Sequence, residues 1–363
     1  MNVEPLKVLI VDDSRIFRAA MQDALDGKPG VRVVGSVWSG EKALEFVRLS
    51  PPDLVTLDVN MPGRGGLDTL SDLQEFNASR PGLPPVGVLL VSALTSRGAA
   101  TTVEGLQRGA FDFIRKPDGA DEKVNAALLQ QQLIEKIDLF ALRRNRPASV
   151  LSALAMPTTT STASRPGRFH CVAIGVSTGG PAALARLLPV VTKQSAVPIL
   201  IVQHMTTGLT GHLAESLAKK CDARIVEASE GEQVKPGWVY IAPAGRHMIV
   251  RNHNARVIIG LNDQPPENGF RPSVDVFFRS VAGAYPHAAL AAILTGMGSD
   301  GAKGLAALKR SGGYVIAQDE ASSVVWGMPG AAVAANVVDE VLPLERIGPA
   351  VLTLLGSRIS PCN

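Results

Sequence analysis

Apolar residues along this chain fall into short runs separated by segments of helical period, and the two periods predict its elements. In the N-terminal half the runs are "KVLIVDD", "RVVGSV", "DLVTLDV", "VGVLLVSA" and "FDFIRKP". They are almost continuously apolar, as strands buried on both faces must be. Between them, a segment such as "SGEKALEFVRL" puts Ala43, Leu44 and Val47 on one stripe behind Ser39 as a cap. Five such units predict a small doubly wound parallel sheet. The C-terminal half alternates less regularly through "CVAIGVS", "PILIVQH", "ARIVEA", "WVYIAP", "HMIVR", "RVIIG", "AALAAILTG" and "GYVIAQD". The expected class is therefore α/β, with two doubly wound parallel-sheet domains, the second larger and Rossmann-like.

Composition places the boundary. From Ala141 to Arg168 the chain reads "ALRRNRPASVLSALAMPTTTSTASRPGR", with five arginines, no acid and a Ser/Thr/Pro-rich second half. Such a segment buries too little apolar surface to offset its ordering entropy, so 141–168 reads as a flexible linker. It separates a domain over 1–125, with a helical extension to about 140, from one over 169–356.

Overall composition changes the picture mainly by exclusion. At 46% hydrophobic and 19% charged residues the chain is an ordinary globular protein. A net charge of +3 over 363 residues is too small to point to nucleic acid or a membrane surface. The first apolar run is short and broken by acids, unlike a signal peptide, and no run approaches the roughly 20 residues of a membrane span. Cys171, Cys221 and Cys362 are far apart and in no metal-binding spacing, which suits a reducing cytoplasm.

In a parallel sheet, functional groups gather where strands end. Asp12 and Asp13 end the first predicted strand, Asp58 the third, Ser92 the fourth and Lys116 the fifth. Converging carboxylates repel unless a cation neutralises them, and hard oxygen ligands suit Mg²⁺. Singly, each acid reads as a cap for the next helix. Together, "VDDS", "LDVNMPGRGGLDTL", "VSAL" and "DFIRKP" at successive strand ends resemble the receiver domain of response regulators, a flavodoxin-like fold, over about residues 5–125. The resemblance implies that Asp58 accepts a phosphoryl group from a sensor histidine kinase. It also implies that Asp12 and Asp13, with Asp58 and the carbonyl of Asn60, hold Mg²⁺, that Ser92 and Lys116 contact the phosphoryl group, and that Phe113 is the aromatic switch residue. "GRGG" after Met61-Pro62 departs from the pattern, since many relatives carry an aspartate before the last glycine; the acceptor set is untouched.

In the second half, "GVSTGG" runs into "PAALARLL", placing Ser177 on a tight strand-to-helix turn near a helix N-terminus. Backbone N–H groups there can steady an oxyanion. A serine nucleophile needs a base, and the base an orienting acid. Of six histidines, His204 directly follows a buried-strand run, and Asp300 lies among glycines beyond another. His247 in "GRHMIV" is the alternative base. Each member has a plain structural reading too: a turn serine, a hydrogen-bonded histidine, and a cap for the helix "GAKGLAALKR". The order Ser177, His204, Asp300 differs from that of α/β-hydrolases, although a triad is defined by geometry.

"IGVSTGGPAAL", "VQHM", "APAGRHM", "RPSVDVFFRS" and "AAILTGMGSDGAKGL" resemble the catalytic domain of chemotaxis protein-glutamate methylesterases over about residues 169–356, a family that carries a fused receiver. The resemblance implies demethylation of glutamyl esters, and deamidation of glutamines, on methyl-accepting chemotaxis receptors. Ser177 is then nucleophile, His204 base and Asp300 its orienting acid, the backbone N–H of Met297 serves the oxyanion, and no cofactor is needed. Arg271 and Ser273 of "RPSVD" become candidates for substrate contact, with packing as the alternative. The resemblance also implies that the unphosphorylated receiver covers the mouth around Ser177 and that phosphorylation of Asp58 opens it. A receiver fused to a DNA-binding output is the competing class, but residues 169–363 carry no basic recognition helix. Cys221, Trp238 and Trp326 read as structural.

Overall fold

The computed structural model describes residues 4–93, 95–144 and 169–356, and the chain divides between 146 and 147 into two units. In the first, five strands alternate with five helices: β1 (Leu6–Val11), α1 (Arg15–Leu25), β2 (Val31–Val37), α2 (Gly40–Leu49), β3 (Leu54–Asp58), α3 (Gly66–Ala78), β4 (Gly87–Ser92), α4 (Ser96–Gln107), β5 (Asp112–Arg115) and α5 (Glu122–Arg144). The strands form one parallel sheet in the order β2-β1-β3-β4-β5. The order reverses between β1 and β3, so a crevice opens where Asp12, Asp13 and Asp58 emerge. Helix α2 forms as its stripe predicts: the Ser39 hydroxyl accepts from Lys42 N–H, and Ala43, Leu44 and Val47 are buried.

Helix α5 continues to Arg144, past the expected end near 140. Leu139 and Phe140 are buried, and Arg144 at the helix C-terminus pairs with Asp53, so Ala141–Arg144 belong to the helix rather than to a linker. The rest of the expected linker, 145–168, lies outside the described residues.

The second unit runs β6 (Cys171–Val176), α6 (Gly180–Thr192), β7 (Ile199–Gln203), α7 (Thr210–Ala218), β8 (Arg224–Glu227), β9 (Trp238–Ile241), β10 (His247–His253), β11 (Arg256–Asn262), α8 (Val274–Ala284), β12 (Ala289–Ile293), α9 (Ala302–Arg310), β13 (Tyr314–Gln318), α10 (Met328–Ala334), β14 (Glu340–Leu342) and α11 (Leu344–Leu354). Seven strands form a parallel sheet in the order β14-β13-β12-β6-β7-β9-β8. The chain starts in the middle at β6, builds outward through β7, then returns to β6's other side with β12. That reversal puts the end of β6 at the switch point.

Two predicted strands do not join this sheet. β10 and β11 form an antiparallel hairpin, because only Asn254 and Ala255 separate them and a parallel crossover needs many more residues. Both turn residues have positive φ, 48° and 61°, as a two-residue hairpin turn requires. The half-buried, three-residue β14 escaped prediction because so short a strand leaves almost no pattern. Phe277, Phe278 and Val281 of α8 and Val315 and Ala317 of β13 are fully buried in this unit's core. Among the described residues, no helix is long and apolar enough to cross a membrane.

Candidate active site

Ser177 follows β6 and His204 follows β7, and these neighbouring strands pair in register at Val176 and Gln203. The two residues therefore leave adjacent strand ends about 5 Å apart. Hydrogen bonds tie them down. His204 N–H donates to Val176 O at 3.0 Å, Ser177 N–H to Thr295 O at 3.0 Å, and Gln203 Nε2 to the carbonyls of both Ser177 and His204 at 2.9 Å each. Gly179 follows at φ 80°, open to glycine without strain, and the chain enters α6 directly. The helix's N-terminus thus lies against the serine loop. From the other side, Gly296 presses so close that a Cβ there would lie 2.7 Å from the Ser177 Cβ.

His204 Nε2 bonds Asp300 Oδ2 at 2.9 Å. An ionised carboxylate only accepts, so the proton sits on Nε2 and Nδ1 carries a lone pair. That Nδ1 is buried and has no hydrogen-bond partner among the described residues. The imidazole also stacks on Phe270, with centroids 3.9 Å apart and planes 3° apart.

Asp300 is almost fully buried yet well satisfied. Besides His204, it accepts from Val274 N–H at 2.7 Å, Asn268 Nδ2 at 2.8 Å, the Ser273 hydroxyl at 2.9 Å and Asp275 N–H at 3.1 Å. Burial alone would push its carboxyl up, but the His204 bond and charge, with the Val274 and Asn268 donors, outweigh it and hold the pKa at about 2. Asp300 does sit at a helix N-terminus, though not at that of the helix it precedes: Val274 and Asp275 open α8. The start of α9 is capped by Asp275, whose Oδ1 accepts from Gly301 N–H at 3.0 Å and Gly304 N–H at 2.6 Å. Burial raises the Asp275 carboxyl above its ordinary range.

The alternative base has both ring nitrogens engaged. His247 is buried, donates Nε2–H to Pro265 O at 3.1 Å and accepts Ser273 N–H on Nδ1 at 3.1 Å, so neither nitrogen is left for a proton. Ser273, a candidate for substrate contact with packing as the alternative, is fully buried, caps α8 and donates to Asp300. The Arg271 guanidinium holds the carbonyls of Asp263 and Gln264 at 3.0 and 3.3 Å. Met297 lies in the loop after β12 with its side chain 42% exposed. Trp238 stacks on Tyr240, and Trp326 donates to Gln318 O, both within the fold.

In the first unit, Asp12, Asp13 and Asp58 each bring a carboxylate oxygen within 4.8 Å of the others. Lys116 Nζ reaches Asp12 at 2.6 Å and Asp58 at 2.8 Å, and lies 4.6 Å over the Phe17 ring. Burial pushes the Asp58 carboxyl up despite Lys116 and Asn60 N–H, which donates to it at 3.1 Å. Lys116 is pulled down by burial but raised further by the two carboxylates, so it stays protonated. One lysine against three carboxylates leaves a hard-oxygen set with negative charge to spare, which fits a divalent cation such as Mg²⁺. Ser92 is buried with its hydroxyl towards the carbonyls of Ala93 and Gly98, and Phe113 is half-buried on β5.

Sequence reasoning missed Gln203, Asn268, Phe270 and Asp275. Only Asn268 carried a local signal, the Asn-Gly pair of "ENGF" that marks a tight turn.

Comparison with known proteins agrees in both halves. Residues 172–351 match the CheB methylesterase family, and residues 8–128 match the response regulator receiver domain family. The chain is 41% identical over 361 residues to a protein-glutamate methylesterase/protein-glutamine glutaminase of Desulfotalea psychrophila, covering 96% of this chain and 98% of that one. A Bordetella pertussis protein of the same description is 40% identical, over 98% and 99% of the two chains. Among solved structures, the Thermotoga maritima CheB methylesterase catalytic domain matches with a TM-score of 0.50 and 40% identity, covering 51% of this chain and 98% of that one.

Proposed function

Because the chain belongs to the CheB methylesterase family in its receiver-linked form, we propose that it hydrolyses glutamyl methyl esters on chemoreceptors by serine-nucleophile chemistry, under control of phosphorylation at Asp58. The observation that carries this reading is His204: one nitrogen held by Asp300, the other buried and unpartnered, on the strand end beside Ser177.

Ser177 Oγ attacks the γ-carbonyl carbon of the ester while its proton passes to His204 Nδ1. Asp300 keeps the ring in the tautomer that can accept it and stabilises the imidazolium that results. The tetrahedral oxyanion takes donors from the α6 N-terminus and from the Met297 N–H. Collapse breaks the ester C–O bond, and the Nδ1 proton leaves with methanol. Water then attacks the acyl-serine with His204 again as base, freeing the glutamate and restoring Ser177. A glutamine follows the same course with ammonia as leaving group. Arg271 braces the Asp263 and Gln264 carbonyls.

In the receiver, Asp58 is the phosphoacceptor, with Asp12, Asp13, Asp58 and the Asn60 carbonyl as Mg²⁺ ligands. When bound, the cation neutralises charge on the incoming phosphoryl oxygens. Lys116 and Ser92 contact the phosphoryl group, Phe113 reports the change, and the donor is a sensor histidine kinase. The assignment of 1–125 to the receiver, 145–168 to a connecting segment and 169–356 to the esterase belongs to this same reading.

Methanol release from methylated receptor membranes tests the esterase, with Ser177→Ala as the control. Activity retained in that variant overturns the serine mechanism. A full-length rate that phosphodonor leaves unchanged overturns the regulatory half.

A further inference from the structure

The turn Glu267–Phe270 closes on itself: Glu267 N–H donates to Phe270 O at 3.1 Å and Phe270 N–H to Glu267 O at 3.0 Å. Asn268 and Gly269 have φ of 55° and 82°, the left-handed pair that a two-residue turn of this hand demands. Glu267 anchors the turn to α8 through a two-point ion pair with Arg279, at 2.8 and 2.6 Å. That pairing holds the Glu267 carboxyl below its ordinary range.

What the anchored turn presents is specific. The Asn268 amide donates to Asp300 Oδ1 at 2.8 Å and to Asp275 Oδ2 at 2.9 Å, bridging two buried carboxylates that would otherwise repel. Two residues on, the Phe270 ring lies flat on His204. One short turn therefore grips both members of the histidine–aspartate pair.

We propose that the 267–270 turn is the positioning device of this active site. Asn268 keeps Asp300 ionised and aimed at His204 Nε2, and Phe270 fixes the imidazole plane so that Nδ1 meets the serine. Both act through the pair they hold. The inference rests on the triad reading above, so its test carries that reading's own controls.

Asn268→Gly removes the amide while keeping a residue that accepts positive φ, so the turn survives. In full-length enzyme on methylated receptor membranes, it should lower kcat about 10- to 100-fold with KM little changed, as misaligned catalytic groups do. Made in an Asp300→Asn background, the same substitution should cost almost nothing further, because its route of action is already gone. Phe270→Leu, which keeps apolar bulk without a ring to stack, should lower kcat by a smaller factor, again without raising KM. Parental kcat in Asn268→Gly, beside an impaired Asp300→Asn, overturns the proposal and leaves the triad standing. Full additivity in the double variant makes Asn268 merely structural and overturns it too. Unimpaired Ser177→Ala and Asp300→Asn would instead overturn the triad reading itself.

Discussion

Asp300 in the larger unit and Asp58 in the smaller are both buried carboxylates at switch points of parallel sheets, yet their surroundings are opposite. Asp300 meets five donors, with the Asn268 amide set between it and the nearby Asp275 carboxylate, and its carboxyl is held at about 2. Asp58 shares Lys116 with Asp12, faces Asp13, and is pushed up by burial. The first carboxylate is satisfied by donors from the polypeptide. The second sets one lysine against three carboxylates and is short of positive charge, which in the reading proposed above a cation and a phosphoryl group would complete. Preorganisation suits constant chemistry, whereas an incomplete site suits a signal that arrives and leaves.

The largest effect expected from breaking the comparison is in the complete site. Ser177→Ala and His204→Ala should each lower methanol release by on the order of 10⁴-fold or more, since such residues act as a unit. His247→Ala, whose nitrogens are already engaged, should fall far short of that. Equal loss in His204→Ala and His247→Ala, with both folded by circular dichroism, would move the base to His247.

The incomplete site gives the next effect. Labelling by a small-molecule phosphodonor should need Mg²⁺, should vanish on chelation, and should be absent in Asp58→Ala. Undiminished label in that variant would point to Asp13, the exposed member of the cluster.

A smaller effect sharpens how tightly the first site is built. Gly296→Ala drives a methyl against Met328 Sδ and the Ser177 Cβ. Turnover should fall roughly 10- to 100-fold with modest loss of stability, because displacement of a nucleophile is costly. A variant with parental kcat would mean the serine loop yields without consequence.

The smallest is a pH effect on stability. Asp300 in the folded state titrates at about 2, below the roughly 3.9 of an unfolded aspartate, so folding is favoured by its ionised form. That contribution is present above pH ~4 and is lost as pH falls through ~2. It is on the order of 2 kcal/mol. In urea unfolding, the stability gap between parent and Asp300→Asn should therefore narrow between pH ~4 and ~2. A gap that stays constant would mean that Asp300 is not held ionised by its donors.

Much of this molecule was legible in one dimension. Strands buried on both faces leave near-continuous apolar runs, so β1, β3, β4, β6, β7 and β12 announced themselves, and parallel topology then placed Asp58, Ser177 and His204 at strand ends. Glycines around Ser177 and Asp300 marked the turns. What stayed hidden depends on contacts between distant segments. What distinguishes His204 from His247 is tertiary: Pro265 and Ser273 engage both nitrogens of His247, whereas the buried Nδ1 of His204 has no partner among the described residues. For Ser273 the sequence left substrate contact and packing open, and the fold buries it at the start of α8; the cap of α9 comes from Asp275 rather than from the aspartate that precedes the helix. Residue type and spacing determine which elements form and which chemistry is available. Hydrogen-bond satisfaction in a closed interior decides which nitrogen is free, which carboxylate stays charged and which ring lies on which, and those pairings exist only once the chain has packed.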